Sequence, residues 1–161
     1  MSLGTHIHGH DGLGGVEIPK SPESAITEKG FEFIHKIIMA QPGQITWANT
    51  GSLTNLCLIL RQFPDLLTKF KQIVIMGGST GRGNRTPAAE FNIYFDPCAF
   101  DEVLKLKKNV PLVMVPLDTT NDVLCKDDVF DFLNSRKEIP LAHALYSMLR
   151  AYQQMYKRIY D

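Results

Sequence analysis

Gln72-Ile73-Val74-Ile75-Met76-Gly77-Gly78 decides the fold. Ile73 to Met76 are all apolar, with no polar residue alternating between them. A strand that buries only one face alternates apolar with polar; a continuous apolar run bounded by turn residues predicts a strand covered on both faces. Gly77-Gly78 ends it. Working outward, Pro111-Leu112-Val113-Met114-Val115-Pro116-Leu117 is a second such run, and Ile45-Thr46-Trp47-Ala48, with one Thr, reads as a short buried strand.

The segments between these runs have helical spacing. Phe31, Ile34, Ile37 and Ile38 predict a helix over about 22–40, with Pro22 at its first position and Gln41-Pro42-Gly43 as its stop. Ser52-Leu53-Thr54-Asn55 leads into a helix carrying Leu56, Leu58, Ile59 and Leu60, and Pro64 restarts a short helical stretch. Asp96 is suited to cap a helix that begins at Pro97. Two more helices are expected at about 126–134 and 140–160. Residues 1–21, 77–92 and 118–121 read as loops. Strands alternating with helices predict parallel strands in an α/β domain. In open sheets of that kind, ligands bind at the carboxyl ends of the strands. Polar residues gather in those exit loops: Asn49, Thr50 and Asn55; Asn84, Glu90 and Asn92; Asp118, Thr119 and Asn121.

Composition narrows the classes. The 161 residues are 44% hydrophobic and 21% charged, which suits one globular domain. Seventeen basic residues balance seventeen acidic ones, so a nucleic-acid partner is not expected. No apolar run approaches membrane-spanning length, and no signal pattern opens the chain. Cys57, Cys98 and Cys125 have neither disulfide-framework nor CxxC spacing, and a reducing cytoplasm is the default setting.

Three clusters could carry chemistry. His6, His8 and His10 alternate and could face one side of an extended chain as metal ligands; the other reading is a Gly-rich start with solvated histidines. Gly77-Gly78-Ser79-Thr80-Gly81-Arg82-Gly83 follows a strand, but it lacks both the GxGxxG order and a Gly-Lys-Ser/Thr. A mobile or ligand-covering loop is the better reading than a phosphate cradle. The last cluster, Asn84 to Asn92, holds two amides and a carboxylate that could bind vicinal hydroxyls, or could simply serve turn chemistry.

The chain resembles the inosine–uridine-preferring nucleoside hydrolases. The likeness rests on Thr50-Gly51-Ser52-Leu53-Thr54-Asn55, Ile73-Val74-Ile75-Met76-Gly77-Gly78, Thr86-Pro87-Ala88-Ala89-Glu90-Phe91-Asn92 and Asp96-Pro97. His8-Gly9, Asp11-Gly12-Leu13-Gly14-Gly15 and Val115-Pro116-Leu117-Asp118 fit as well. The resemblance implies a mostly parallel, Rossmann-like open sheet flanked by helices, here one partial domain over 1–161. It implies hydrolysis of the N-glycosidic bond of ribonucleosides, with inversion, by a water that a bound Ca²⁺ activates. The transition state would be an oxocarbenium-like sugar stabilised by a carboxylate and oriented amides.

Carried over by position, the Thr50 backbone carbonyl matches a calcium ligand. Asn84, Glu90 and Asn92 match ribose-binding residues, and Met76 matches an apolar ribose contact. Phe91 lies by the sugar–base region, His8 matches a base-side histidine, and Tyr156 matches a base-side aromatic. The partner implied is a nucleoside held by its ribose, with no membrane and no nucleic acid; a homo-oligomer stays open.

The chain also departs from the family pattern. The Asp-x-Asp-x-Gly-x-Asp-Asp run that supplies most calcium ligands and the general base is absent, so no catalytic residue is identified within it. A family His-Asp pair is expected beyond Asp161, and Asn121 stands where many members have histidine. These departures leave a catalytically inactive relative, acting as a sugar- or protein-binding module, as the alternative. A nucleotide-binding switch or dehydrogenase domain would rest on the Gly-rich loop alone. Without the first strand of the family's sheet, apolar neighbours and backbone groups lose their partners. The isolated chain is therefore expected to fold poorly or self-associate. Light scattering and thermal melting check this, and a sharp cooperative melt from a clean monomer would contradict it.

Overall fold

The computed structural model describes residues 8–18, 29–106 and 110–160. The chain forms two compact units. One is Ile26–Val123; the other joins Met1–Ala25 with Leu124–Asp161.

In the first unit the order is α1 (Gly30–Ala40), β1 (Ile45–Asn49), α2 (Thr54–Gln62), a 3₁₀ turn (Pro64–Thr68), β2 (Phe70–Met76), α3 (Phe91–Phe95), α4 (Pro97–Leu106), β3 (Leu112–Val115) and α5 (Leu117–Asn121). The three expected strands form one parallel sheet in the order β1-β2-β3. Trp47 pairs with Ile73 and Ile73 with Leu112, while Asn49 pairs with Ile75 and Ile75 with Met114. Because side chains alternate across a strand, these residues share one face. That face is the core: Ile73 and Ile75 are fully buried, with Trp47, Leu112 and Met114 packed around them. Leu56, Ile59 and Leu60 of α2, Leu66 of the 3₁₀ turn, and Ala99 and Val103 of α4 complete it. Within this unit α2 packs on α4, and both α1 and α2 pack on the 3₁₀ turn.

The opposite face differs from expectation. Ala48 is exposed, Val74 is half-buried and Val113 is 45% exposed. The continuous apolar runs predicted helices on both faces, but the helices of Ile26–Val123 bury only one. Two loop readings also change. Residues 118–121, read as an exit loop, form α5. The 77–92 loop ends two residues earlier than expected, in a single-turn helix that starts at Phe91. The first helix starts at Gly30, because Lys29 is extended, so the expected continuous helix over 22–40 is shortened; Pro22 itself lies outside the described residues.

The second unit contains α6 (Asp127–Asn134) and α7 (Pro140–Tyr160), which pack on each other as their predicted spans require. Phe130 and Leu133 of α6 and Ala142 and Ala144 of α7 are buried. Arg150 lies over the Phe130 ring at 3.8 Å. No described helix is long and apolar enough to cross a membrane.

This packing sets a contrast. Leu56→Ala, at a fully buried position of α2, is expected to lower stability by about 2–5 kcal/mol. Val113→Thr, on the open face, should change it by less than about 0.5 kcal/mol. Urea unfolding of both variants measures the difference.

Candidate functional site

Three parallel strands deliver their carboxyl ends to one edge of the first unit, at Asn49–Thr50, Met76–Gly78 and Val115–Asp118. The pairing of β2 with β3 continues past the strands. Gly77 N–H donates to the Val115 carbonyl at 3.1 Å, and Leu117 N–H to the Gly78 carbonyl at 2.8 Å. Gly78 turns the chain away at φ 74°, a conformation that favours glycine.

Glu90 is buried, at 2% exposure. Its Oε1 accepts from the Asn92 N–H at 2.9 Å. Its Oε2 accepts from Gly78 N–H at 3.0 Å and Ile93 N–H at 3.2 Å. The carboxylate therefore caps α3 and ties it to the end of β2. Asn84 plays a similar part, with Oδ1 accepting from the Phe91 N–H at 2.8 Å. Just before Asn84, Gly83 lies so close to Ala89 that a Cβ would stand 2.3 Å from its carbonyl oxygen. Thr86 Oγ1 accepts from the Ala89 N–H at 2.9 Å. Of the two readings open for this loop, turn and capping chemistry accounts for the bonds that Asn84 and Glu90 make.

Asn92 is placed differently. Its Nδ2 donates to the Met76 carbonyl at 3.0 Å, more weakly to the Thr50 carbonyl at 3.4 Å, and touches Met76 Sδ at 3.2 Å. Carbonyls only accept, so the amide group must face them, and Oδ1 takes the other side. No described residue donates to that Oδ1. Asn92 thus brings together Thr50 and Met76, two of the residues singled out by sequence. Phe91, the next of them, packs its ring near Phe95, at 6.1 Å between centroids.

Several residues the sequence reading left without a role shape this edge. Asn49 is only 7% exposed; its Nδ2 donates to the Gly51 carbonyl at 2.6 Å, and its Oδ1 accepts from Trp47 Nε1 at 3.3 Å. This curls the turn that presents the Thr50 carbonyl. The available signal was an Asn at the end of an apolar strand just before Thr-Gly, an Asx-turn pattern. Asp96 caps α4 as expected, accepting from the Ala99 N–H at 3.0 Å, and also accepts from the Thr54 hydroxyl at 2.6 Å. The Thr54 hydroxyl first, then the Ala99 N–H, hold its carboxyl below the ordinary carboxylate value.

His8 and Tyr156 belong to the second unit. His8 stacks on Tyr152 at 5.7 Å, and Tyr152 lies 5.2 Å from Tyr156. Asp11 accepts from the N–H groups of Leu13 and Gly15, folding the glycine run, and a Cβ on Gly14 would stand 2.7 Å from Ala151. His8, Leu13, Met148, Leu149 and Tyr152 border a hollow of about 160 Å³, small against the ~300–1,000 Å³ of a typical ligand pocket. His6 lies outside the described residues. Among those described, no three His, Cys, Asp or Glu residues gather as a metal-binding group.

The Glu90 cap yields a prediction. In Glu90→Gln the side-chain amide must meet at least one of the three backbone N–H groups, donor against donor. A loss of about 1–3 kcal/mol is expected, read from the urea midpoint.

Comparison with known proteins bears on the whole of this arrangement. The inosine-uridine preferring nucleoside hydrolase family matches the chain over residues 2–161. An uncharacterized protein of Schizosaccharomyces pombe is 36% identical over 161 residues, covering 99% of this chain and 48% of that one. The pyrimidine-specific ribonucleoside hydrolase RihB of Escherichia coli is 41% identical over 124 residues, or 77% of this chain and 39% of RihB. The solved structure of a purine-preferring ribonucleoside hydrolase from Gardnerella vaginalis superimposes with a TM-score of 0.85 at 29% identity. It covers 99% of this chain and 50% of its own. The chain spans about half the length of the relatives it matches, and its three-stranded parallel sheet with flanking helices corresponds to half of their fold. It belongs to the inosine-uridine preferring nucleoside hydrolase family.

Proposed function

We propose that this chain is one partial nucleoside hydrolase domain and supplies the ribose-holding edge for hydrolysis of the N-glycosidic bond of ribonucleosides. The observation that carries this reading is the Asn92 amide. It is anchored by its Nδ2 on the Met76 and Thr50 carbonyls, and its Oδ1 has no described donor. A fixed acceptor beside an apolar Met76 side chain suits a sugar hydroxyl lying against a hydrophobic ring face. Asn84 offers its amide Nδ2 to the same ligand, since among the described residues only its Oδ1 is engaged. Glu90 contributes mainly by holding Asn92 in place. His8 and Tyr156 carry the base-side role by resemblance.

In this family's reaction, calcium supplies an activated water and contacts to the ribose hydroxyls. Calcium takes six to eight oxygens, several from carboxylates. Here the Thr50 carbonyl is the single oxygen assigned to it, and no three described acidic, His or Cys side chains gather as a metal-binding group. The residues present do not by themselves fit the ion. The chain's own contribution is confined to positioning the sugar.

Base preference is not set by likeness, because one relative is pyrimidine-specific and another purine-preferring. A ribose-directed site predicts indifference to the base. In NMR titrations of the 161-residue chain, inosine, uridine and ribose should each bind at around millimolar affinity. Asn92→Ala should weaken all three at least about tenfold, a loss of ~1.4 kcal/mol. Ribose release with Ca²⁺ or with chelator should be absent in both. A folded chain that binds none of the three overturns the sugar-holding role; calcium-dependent turnover overturns the claim that the ligand set is incomplete.

A further inference from the structure

The Gly-rich stretch 79–82 is held from outside by a single group. Among the described residues, the hydrogen bonds from Ser79 and Thr80 to another element all end on the Asp118 carboxylate, in the first turn of α5. Its Oδ2 accepts from the Thr80 N–H at 2.7 Å and from the Ser79 hydroxyl at 3.1 Å. Gly81 comes so near that a Cβ would stand 2.9 Å from Asp118 Oδ1. The other bonds of the stretch are local: the single Ser79 O–H is shared between Asp118 and the Arg82 carbonyl, at 3.0 Å, and Gly81 N–H donates to Ser79 Oγ. Beyond Gly83 the loop bonds to itself and to α3.

Asp118 does not serve its own helix in the same way. The Thr119 and Thr120 N–H groups both go to the Pro116 carbonyl. The first turn of α5 is meanwhile fixed against β2 by the Leu117–Gly78 bond. A charged acceptor on a fixed element therefore meets a stretch, 79–82, that among the described residues has no other hydrogen bond to another element. Hydrogen bonds to an ionised carboxylate are about twice as strong as neutral ones.

We infer that Asp118 is a positioning residue: it latches the Gly-rich loop to the strand edge and, from the side of the chain opposite the Asn84–Phe91 bond, restrains where Asn84 lies relative to the sugar-holding Asn92. The inference rests on the ribose-holding reading, since it concerns how that site is kept in shape. Asp118 itself need not touch the sugar. The Thr80 N–H, ahead of the Ser79 hydroxyl, draws its carboxyl below the ordinary value, so the latch is ionised at neutral pH.

The test compares the full chain with Asp118→Ala and Asp118→Asn by amide hydrogen exchange and by inosine titration. Asp118→Ala should speed exchange at Thr80 and Gly81 by about tenfold or more while leaving β2 and α4 at wild-type rates. It should also weaken inosine binding by about fivefold or more. Asp118→Asn, which keeps an acceptor but not the charge, should fall between. Wild-type exchange at Thr80 and Gly81 in the alanine variant would overturn the latch. So would a loosened loop with unchanged inosine affinity. If the wild-type chain binds no inosine yet the alanine variant still loosens the loop, the latch stands and the ribose-holding reading fails.

Discussion

A carboxylate buried among apolar residues is unfavourable unless every oxygen finds donors. Glu90 meets that condition with three backbone N–H groups, and much of the edge follows from it. One donor, Gly78, belongs to the chain leaving β2; the other two, Asn92 and Ile93, open α3. The side chain therefore joins two segments twelve residues apart. Gly77 follows from the same contact. A Cβ there would sit 3.0 Å from Ile93 Cδ1 and 3.4 Å from Glu90 Oε2. The glycine pair after β2 thus has two separate causes: close approach at Gly77 and a positive φ at Gly78.

With α3 held at the end of β2, Asn92 reaches the Met76 and Thr50 carbonyls without a long or mobile side chain. The turn at Thr50 is meanwhile shaped from beneath by Asn49 and tied to α4 through the Thr54–Asp96 bond. Each tie runs from a short polar side chain to backbone or to a neighbour packed beside it. Short side chains lose less rotamer entropy on fixing than long ones. The result is an edge whose exposed polar atoms are presented by a rigid frame, the condition under which a loop can bind a small ligand.

Much of this frame was legible in the residues. The runs Ile45–Ala48, Ile73–Met76 and Pro111–Leu117 announced three strands because continuous apolar sequence has few other uses at that length. Asp96-Pro97 announced a helix start, and the structure supplies the capping bond. Other features were hidden for physical reasons. Apart from Leu117, Leu117-Asp118-Thr119-Thr120-Asn121 has weak helix formers, and the Leu117–Gly78 bond to the end of β2 holds the first turn of α5. The helix start at Phe91 was hidden because Glu is not among the favoured N-cap residues. One-sided burial of the sheet was hidden too. Val74 and Val113 are as apolar as the core residues beside them, and only packing tells which face is covered. The likeness to nucleoside hydrolases named His8 and Tyr156 beside Asn92. Periodicity alone would have left them as a loop histidine and a helix aromatic.

The carboxylates of the chain share one kind of use. Glu90, Asp96 and Asp118 stand along the strand edge, and Asp11 folds the glycine run of the second unit. Their oxygens accept hydrogen bonds from backbone N–H or hydroxyl groups. A donor hydrogen aimed at an oxygen presents positive charge where a cation would have to sit, and it lowers the basicity that a proton acceptor needs. Asp11, Asp96 and Asp118 are accordingly drawn toward the ionised form by those donors. Asp11, Asp96 and Asp118, so engaged, are better suited to fixing loops than to taking a proton from water. The bonds these carboxylates make are those of a frame, each fixing a loop or a helix start to its neighbour.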